Sequence, residues 1–295
     1  MPTLCGLLCD RPDFGTGASG FLGSQVVRVL LEAGHRVVAL SRSATIPSRL
    51  HISHERLEVK SWDPQQPQVE GYFSSVVHAA ASYGRSGETP VQLVEANVLV
   101  GLRLVESLRG RCGGIVYVGT GLQPTVSAYA CSKHQFASWG ALIGQEMPMV
   151  HLCCEHFYGE GDDSTKFVTR VVRACLAHVP QLELTIGTQR RDFIHVTDAA
   201  RAIQVVIDRG MPARGVKEMG VGSGQAVTVR SVVEQIHRQS RSHTELVFGA
   251  VPLRPSEPAE CVADIGPLTQ LGWMSQTPLE AGLSKLIEVE RTCAF

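Results

Sequence analysis

The sequence lacks a strong net charge, a long apolar run and a signal-like N-terminus. Its formal net charge is −1, which argues against nucleic acid or a membrane surface as the main partner, because proteins that bind these concentrate basic residues. No stretch reaches the roughly 18 consecutive apolar residues that span a bilayer. The first residues lack the charged region of a signal peptide. We therefore expect a cytoplasmic protein that binds a small molecule.

Paired cysteine spacing is also missing. The nine cysteines include no CxxC pair, and an odd set without such spacing predicts neither a disulfide framework nor a zinc site. We expect free thiols and no metal ion. The chain has 295 residues, 44% of them hydrophobic, which is enough for a large α/β domain with a smaller companion.

The most informative stretch that is present is the glycine-rich segment at residues 16–23. Glycine triplets also occur by chance in loops, but here apolar residues at helical spacing follow, and residues 36–40 then predict a second strand. Glycines at this spacing allow a tight turn and let backbone N–H groups approach a pyrophosphate at a helix N-terminus. The predicted dinucleotide contacts in this segment are Gly17, Ser19, Gly20, Phe21, Leu22 and Gly23.

The strand before this turn is unusual. Residues 11–15 include Pro12, and proline is poor in a central strand, so residues 4–8 are the alternative for the first strand. Five further strands are predicted, the last at residues 149–153, after which the sheet is expected to be complete. We predict a doubly wound, Rossmann-type parallel sheet over residues 1–155, to which 188–215 return, and a smaller α/β lobe mainly over 156–295.

The residues after the second strand bear on the choice of cofactor. NAD-specific proteins of this design place an acid there, whereas this chain has Ser41 and Arg42. An arginine suits a 2′-phosphate, which favours NADP(H) over NAD(H); the alternative is that Arg42 is a solvated loop cation. Asp63 is either an adenine contact or a turn former. Further predicted cofactor contacts are His78, Ala79, Ala80 and Asn97.

A tyrosine and a lysine four residues apart suggest catalysis. Tyr129 and Lys133 would share one face of a helix, so that the ammonium could lower the tyrosine pKa and hold a ribose. Thr120, at the end of the fifth predicted strand, could hold a substrate carbonyl, with Ser127 as an alternative hydroxyl. The alternative for the pair is an ordinary surface contact. Tyr129 and Lys133 are also predicted to contact the cofactor.

These residues together resemble extended short-chain dehydrogenases/reductases of the NAD-dependent epimerase/dehydratase family. The resemblance covers nearly the whole chain and implies a lobe that closes over a nucleoside-diphosphate sugar. The matching motifs are Gly17-x-x-Gly20-x-x-Gly23, His78-Ala79-Ala80, Asn97, Thr120, Tyr129-x-x-x-Lys133 and the run from Arg191 to Asp198.

Residues 156–163 and 190–193 are similar to a narrower branch that includes CDP-abequose synthase. This implies NADPH-dependent reduction of the C4 keto group of a CDP- or dTDP-linked 4-keto-6-deoxy or 4-keto-3,6-dideoxy hexose, for deoxysugar and surface-polysaccharide synthesis. Tyr129 would donate a proton to the C4 oxygen, and Arg191 would contact the diphosphate. The predicted substrate contacts are Tyr83, Thr120, His156, Lys166, Arg191 and Arg254.

Rival functions remain at this point. A 4,6-dehydratase of the family has Asp-Glu after its threonine, whereas Gly121 and Leu122 stand here, so that activity is rejected. An NAD-dependent 4-epimerase is the main alternative, and a non-catalytic dinucleotide-sensing regulator is an alternative of another class. By analogy with the family, a homodimer through residues 90–108 and 128–142 is expected.

Overall fold

The computed structural model of the protein describes residues 13–41, 48–50, 52–66, 70–254 and 257–293. The strands, in chain order, are β1 (Asp13–Thr16), β2 (Val37–Ser41), β3 (Leu57–Ser61), β4 (Val76–His78), β5 (Ile115–Val118), β6 (Met149–Cys154), β7 (His156–Tyr158), β8 (Gln181–Leu184), β9 (Arg190–His195), β10 (Val216–Val221), β11 (Ala226–Thr228), β12 (Glu245–Phe248) and β13 (Glu260–Cys261).

The helices, in the same order, are α1 (Phe21–Glu32), α2 (Pro90–Val94), α3 (Val100–Ser107), α4 (Ala128–Ser138), α5 (Gly140–Glu146), α6 (Phe167–Leu176), α7 (Val196–Arg209), α8 (Val229–Ser240), α9 (Gly266–Gln270) and α10 (Leu279–Cys293). A 3₁₀ turn covers Ser48–Leu50, and a π-helical segment, Glu95–Leu99, lies between α2 and α3. Among the described residues, no helix combines the length and apolar character needed to cross a membrane.

The main sheet is parallel, with the strand order β10-β6-β5-β4-β1-β2-β3. The chain runs outward from β1 in one direction to β3 and in the other through β4 to β10. This is the doubly wound Rossmann order, and its switch point lies between β1 and β4, where ligands bind at the carboxyl ends of the strands. The predicted fold class is confirmed.

The main sheet differs from the sequence prediction at two strands, β1 and β10. Its first strand is β1, paired with β2 and β4, and it begins immediately after Pro12; the alternative strand at residues 4–8 lies outside the described residues. The sheet is also not complete after β6, because β10 adds a seventh strand. As an edge strand, β10 alternates exposed Glu218 with buried Met219, so it lacks the continuous apolar run of a central strand.

Apolar side chains fill both faces of this sheet. Val26 and Ile203, on α1 and α7, belong to the core on one face, and Leu104 and Phe136, on α3 and α4, belong to the core on the other. A third core joins α6, α8 and α10 beneath two small sheets, one in which β7, β11 and β13 pair with β9 and one formed by β8 and β12. We call this last unit the C-terminal lobe.

The chain passes between the two units more than once. Helix α7 packs on α1, and α9 packs on β10, so the return to the main sheet extends past the predicted segment 188–215. Strand β9, within that segment, pairs instead with β7, β11 and β13 of the lobe. The lobe therefore meets the carboxyl edge of the main sheet through several connections.

Candidate active site

The glycine turn after β1 is packed too tightly for side chains at two positions. Gly17 has φ +77°, and a Cβ there would lie 2.7 Å from the backbone nitrogen of Ala80. A Cβ on Gly23 would lie 2.1 Å from the carbonyl oxygen of Gly17. The turn is thus held against the loop after β4, which also contains Ala79. Glycine is required at both positions by close backbone contact.

The N-terminus of α1 fits an anionic ligand. Gly20 is its cap residue, no side chain caps it, and its first turn contains no acidic residue. The first-turn N–H groups of a helix have no intrahelical partners, and the helix dipole is positive there. The described residues therefore fit the pyrophosphate of a dinucleotide, with Ser19, Phe21 and Leu22 half-buried around the turn.

Other predicted cofactor residues occupy varied positions. Ser41 is buried at the end of β2, and Arg42 lies outside the described residues. Asp63 is exposed, and its Oδ1 accepts a hydrogen bond from the N–H of Gln65 at 2.8 Å, which is the geometry of a turn former. The side chain of Asp63 thus serves the local turn.

His78 lies in the core below the sheet edge. Its Nδ1 lies 2.7 Å from Oγ1 of Thr16, and its ring packs on Tyr117 and Phe136. Burial lowers its pKa to about 3, so the imidazole is neutral. Its role is to join β4 to β1, while the backbone of the following alanines approaches the glycine turn.

Asn97 lies in the π-helical segment, where a continuous helix was predicted. Its Oδ1 accepts the N–H of Ser82 at 2.7 Å, and its Nδ2 donates to the carbonyl oxygen of Ser82 and to Oγ of Ser132, both at 2.9 Å. π-Segments are rare and often occur at functional sites. Here the side chain of Asn97 ties the loop after β4 to α4, the helix that carries Tyr129 and Lys133.

A cleft of about 360 Å³ lies between the main sheet and the C-terminal lobe. Thr120 and Tyr129 line it from the main sheet. Thr120 is buried, and its Oγ1 accepts the N–H of Leu122 at 3.2 Å. Ser127 also lines the cleft, but its Oγ caps α4 by accepting the N–H of Ala130 at 3.1 Å. Each hydroxyl oxygen thus accepts one backbone N–H and keeps a hydrogen to donate, so both remain candidates.

Lys133 lies one helical turn after Tyr129 on α4. It is 2% exposed, and its Nζ is 4.4 Å from the ring centroid of Tyr117. Burial lowers the pKa of Lys133 to about 7. The pKa of Tyr129 is raised, by burial first and then by neighbouring Tyr83, whereas the sequence predicted that Lys133 would lower it. Burial of the phenol disfavours its charged form, and Lys133 is not among the groups that shift its pKa.

The predicted sugar contacts come from both sides of the cleft. Tyr83, His156, Lys166 and Arg254 all line it. The ring of Tyr83 stacks on that of Tyr129 with centroids 4.7 Å apart, and Nζ of Lys166 lies 3.4 Å from the Tyr83 centroid. Burial lowers the pKa of Lys166 to about 8. The fold brings these residues to one cleft, although no single element contains them.

Arg191 is placed differently. It is 4% exposed, and its Nη2 donates to Oε1 of Glu257 at 2.8 Å. It is not among the residues that line the cleft. In this structure Arg191 forms a buried ion pair beside the cleft.

Three charged residues of the cleft were not singled out from the sequence as site residues. Arg85, Glu155 and Asp162 all line it. Burial raises the pKa of Asp162 to about 6. Asp162 and Glu155 lie in or beside the motif at residues 156–163, but nothing in the sequence alone indicates which of its side chains face a ligand.

Known proteins resemble this chain over nearly its whole length. The sequence model of the NAD dependent epimerase/dehydratase family matches residues 16–220. CDP-abequose synthase from Salmonella muenchen is 28% identical over 287 residues, which cover 93% of this chain and 96% of the relative. UDP-glucose 4-epimerase from Corynebacterium glutamicum is 26% identical over 311 residues, which cover 92% of each. The solved structure of MoeE5 in complex with UDP-glucose and NAD has a TM-score of 0.81 at 26% identity and covers 96% of this chain and 100% of that one.

Proposed function

Because this chain belongs to the NAD dependent epimerase/dehydratase family, we propose that it is an NADPH-dependent nucleotide-sugar 4-ketoreductase. Its substrate is a CDP- or dTDP-linked 4-keto-6-deoxy or 4-keto-3,6-dideoxy hexose. The observation that carries this proposal is the cleft, in which Thr120 and Tyr129 face His156, Lys166 and Arg254 of the other side. Similarity to CDP-abequose synthase along 93% of the chain supports it.

The cleft residues suit the addition of hydride and a proton across a carbonyl group. NADPH, held at the glycine turn before α1, would supply the hydride. The Thr120 hydroxyl donates a hydrogen bond to the C4 oxygen, and the Tyr129 phenol donates its proton to that oxygen as negative charge develops. Because burial raises the pKa of Tyr129, the phenol is protonated near neutral pH, as a proton donor must be. Lys133 would bind the ribose of the cofactor.

Cations in the cleft suit the diphosphate. Lys166 and Arg254 line it, and we assign them to the phosphate oxygens, with His156 and Tyr83 beside the sugar. A contact between Arg191 and the diphosphate requires that Arg191 exchange its ion pair with Glu257 for a phosphate.

The NADPH preference rests on Ser41 and Arg42. Ser41 ends β2, and no acid follows it in the sequence at Arg42. Arg42→Ala is expected to weaken NADPH binding far more than NADH binding, because only NADPH has a 2′-phosphate for the guanidinium. Binding is measured by titration with each cofactor. An equal loss of affinity for NADPH and NADH would contradict the NADPH preference. The comparison with NADH is needed because the solved MoeE5 structure contains NAD.

The test of the reaction is direct. Purified protein is mixed with NADPH and CDP- and dTDP-linked 4-keto-6-deoxy sugars, with and without the 3-hydroxyl, and loss of nicotinamide absorbance is followed. Tyr129→Phe should abolish turnover while NADPH still binds. Tyr72→Phe, at a 41% exposed tyrosine, is the matched control. Turnover that is unchanged in Tyr129→Phe would contradict the catalytic assignment.

A 4-epimerase is the second candidate, because UDP-glucose 4-epimerase from Corynebacterium glutamicum also matches this chain along its length. That reaction would start by removing a proton from a 4-hydroxyl, with Tyr129 as the base. NAD retained on the purified protein, without NADPH oxidation, would favour it. A dinucleotide-sensing regulator would bind NADPH and turn over none of these sugars.

We also propose that the protein is a cytoplasmic homodimer. Four apolar side chains on adjacent helical segments are exposed to solvent: Val91 by 78%, Leu99 by 38%, Trp139 by 45% and Leu142 by 58%. The segments α2 and Glu95–Leu99 both pack on α4, so pairing with a second copy would bury this surface. Leu142→Glu should convert the dimer to a monomer in sedimentation experiments, whereas Ile186→Glu, at an exposed residue of the lobe, should not.

A further inference from the structure

Glu155 is a buried carboxylate at the cleft that the mechanism above does not use. It lies between β6 and β7, and its side chain is 6% exposed. Its backbone N–H donates to the carbonyl oxygen of Val221 at 2.9 Å, which fixes this point of the chain to β10. Its side chain lines the same cleft as Thr120 and Tyr129. A buried, ionisable group in this position is expected to have a partner.

The carboxylate lies directly beside the residue that follows Thr120. A Cβ built on Gly121 would be 2.2 Å from Oε1 of Glu155, so the carboxylate occupies the space that a side chain at position 121 would need. The N–H of Gly121 donates to the carbonyl oxygen of Cys154 at 2.9 Å, which holds the two segments together. Glu155 is therefore placed beside the residue that follows Thr120, and both Thr120 and Glu155 line the cleft.

Glu155 lacks a full set of partners within the described residues. Its Oε2 is buried without a hydrogen bond, and the ion-pair contact of this oxygen is with Nδ1 of His156 at 3.6 Å, which is longer than a hydrogen bond. Lys166, a cation that lines the same cleft, lies over the ring of Tyr83. A donor group brought by the ligand would satisfy the carboxylate.

We propose that Glu155 accepts a hydrogen bond from a hydroxyl on C3 of the sugar and thereby selects a substrate that retains this hydroxyl. The inference rests on the proposed 4-ketoreductase function. In a 4-keto-6-deoxy hexose, C4 has two carbon neighbours. C5 carries a methyl group and the ring oxygen, so C3 is the neighbour that can carry a donor. A 3,6-dideoxy sugar has no donor there and would leave the carboxylate unpaired.

The expected discrimination follows from the cost of that unpaired group. A site built to bond a substrate hydroxyl rejects the analogue without it, because the buried acceptor then has no partner. For a charged acceptor, we expect kcat/KM to be about 10- to 100-fold higher for the 3-hydroxy sugar than for the 3-deoxy sugar.

The experiment compares these two substrates in three proteins. Wild type, Glu155→Gln and Glu183→Gln are assayed with NADPH and the 4-keto-6-deoxy hexose and its 3-deoxy counterpart, each as the CDP and the dTDP derivative. Glu183 is exposed on β8 and serves as the matched control. We expect Glu155→Gln to lower kcat/KM for the 3-hydroxy sugar and to narrow the ratio between the sugars, because the amide oxygen still accepts a hydrogen bond but without the charge that strengthens it. Glu183→Gln should keep the wild-type ratio.

The outcomes separate this inference from the function beneath it. If wild type reduces both sugars equally, or prefers the 3-deoxy sugar, the reductase stands and the role of Glu155 is overturned. An equal loss for both sugars in Glu155→Gln would assign the residue to structure and also overturn the inference. If wild type oxidises NADPH with none of the four compounds, the proposed function itself fails, and the inference fails with it.

Discussion

Removing the side chain of Asn97 should loosen two segments on the main-sheet side of the cleft at once, the loop after β4 and helix α4. Asn97 is 1% exposed, and its three hydrogen bonds reach Ser82 twice and Ser132 once. Each such bond contributes about 0.5–1.5 kcal/mol, and an unpaired buried group costs about 1–3 kcal/mol. Asn97→Ala leaves both backbone groups of Ser82 without this partner. We expect the free energy of unfolding to fall by about 2–4 kcal/mol.

Catalysis should suffer as well, because the partners of Asn97 adjoin the cleft. Ser82 precedes Tyr83, and Ser132 precedes Lys133. A displacement of about 1 Å can cost about 100-fold in rate, so we expect turnover of the variant to fall by about that factor with NADPH still bound.

Urea unfolding followed by tryptophan fluorescence measures the stability. Glu106→Ala, at an exposed residue of α3, is the control and should change stability by less than about 0.5 kcal/mol. Ser132→Ala removes one of the three partners, so a double-mutant cycle should show coupling between positions 97 and 132. A loss in Asn97→Ala below about 1 kcal/mol with turnover retained would refute the reasoning.

Three further predictions follow from the same structure. Gly23→Ala places a Cβ 2.1 Å from the carbonyl oxygen of Gly17, so NADPH affinity measured by titration should fall at least about 10-fold; unchanged affinity would contradict the packing. Burial holds the pKa of Lys133 at about 7, so the unfolded chain binds this proton more tightly than the folded protein does. The free energy of unfolding of wild type, relative to that of Lys133→Met, should therefore rise between about pH 7 and pH 10. A difference that does not change with pH in urea unfolding would refute this. Arg191→Ala leaves Glu257 without its ion-pair partner and should lower the free energy of unfolding by about 1–2 kcal/mol. If the KM for the nucleotide sugar is unchanged in this variant, Arg191 does not contact the diphosphate.

Much of the main sheet was predictable because its strands are buried on both faces. Strands β2, β5 and β6 are short apolar runs, and the glycine turn marks the start of α1, so periodicity and turn chemistry were sufficient. Strand β10 was not predicted, since an edge strand with Lys217 and Glu218 resembles a polar loop. The π-segment was not predicted either, because Glu95–Leu99 keeps the apolar spacing of its neighbours.

The candidate site was predictable only where one motif contains its parts. Tyr129 and Lys133 are four residues apart, and helix geometry alone puts them together. Arg191 shows the limit of this reasoning, because its partner Glu257 is distant in sequence and lies on a loop. A charged residue in a motif can face a ligand or another charge, and only the fold decides which.

The neighbourhood of Glu155 depends on strand register. In the parallel pair β5 and β6, Val118 lies opposite Leu152. Gly121 follows Val118 by the same number of residues as Glu155 follows Leu152, so continuing this register past the strand ends places Gly121 opposite Glu155. The carboxylate can enter the cleft beside Thr120 only because position 121 has no side chain. An acidic side chain at position 121 would displace the carboxylate of Glu155. The acid that follows the threonine in a dehydratase and the carboxylate of Glu155 would therefore compete for the same space.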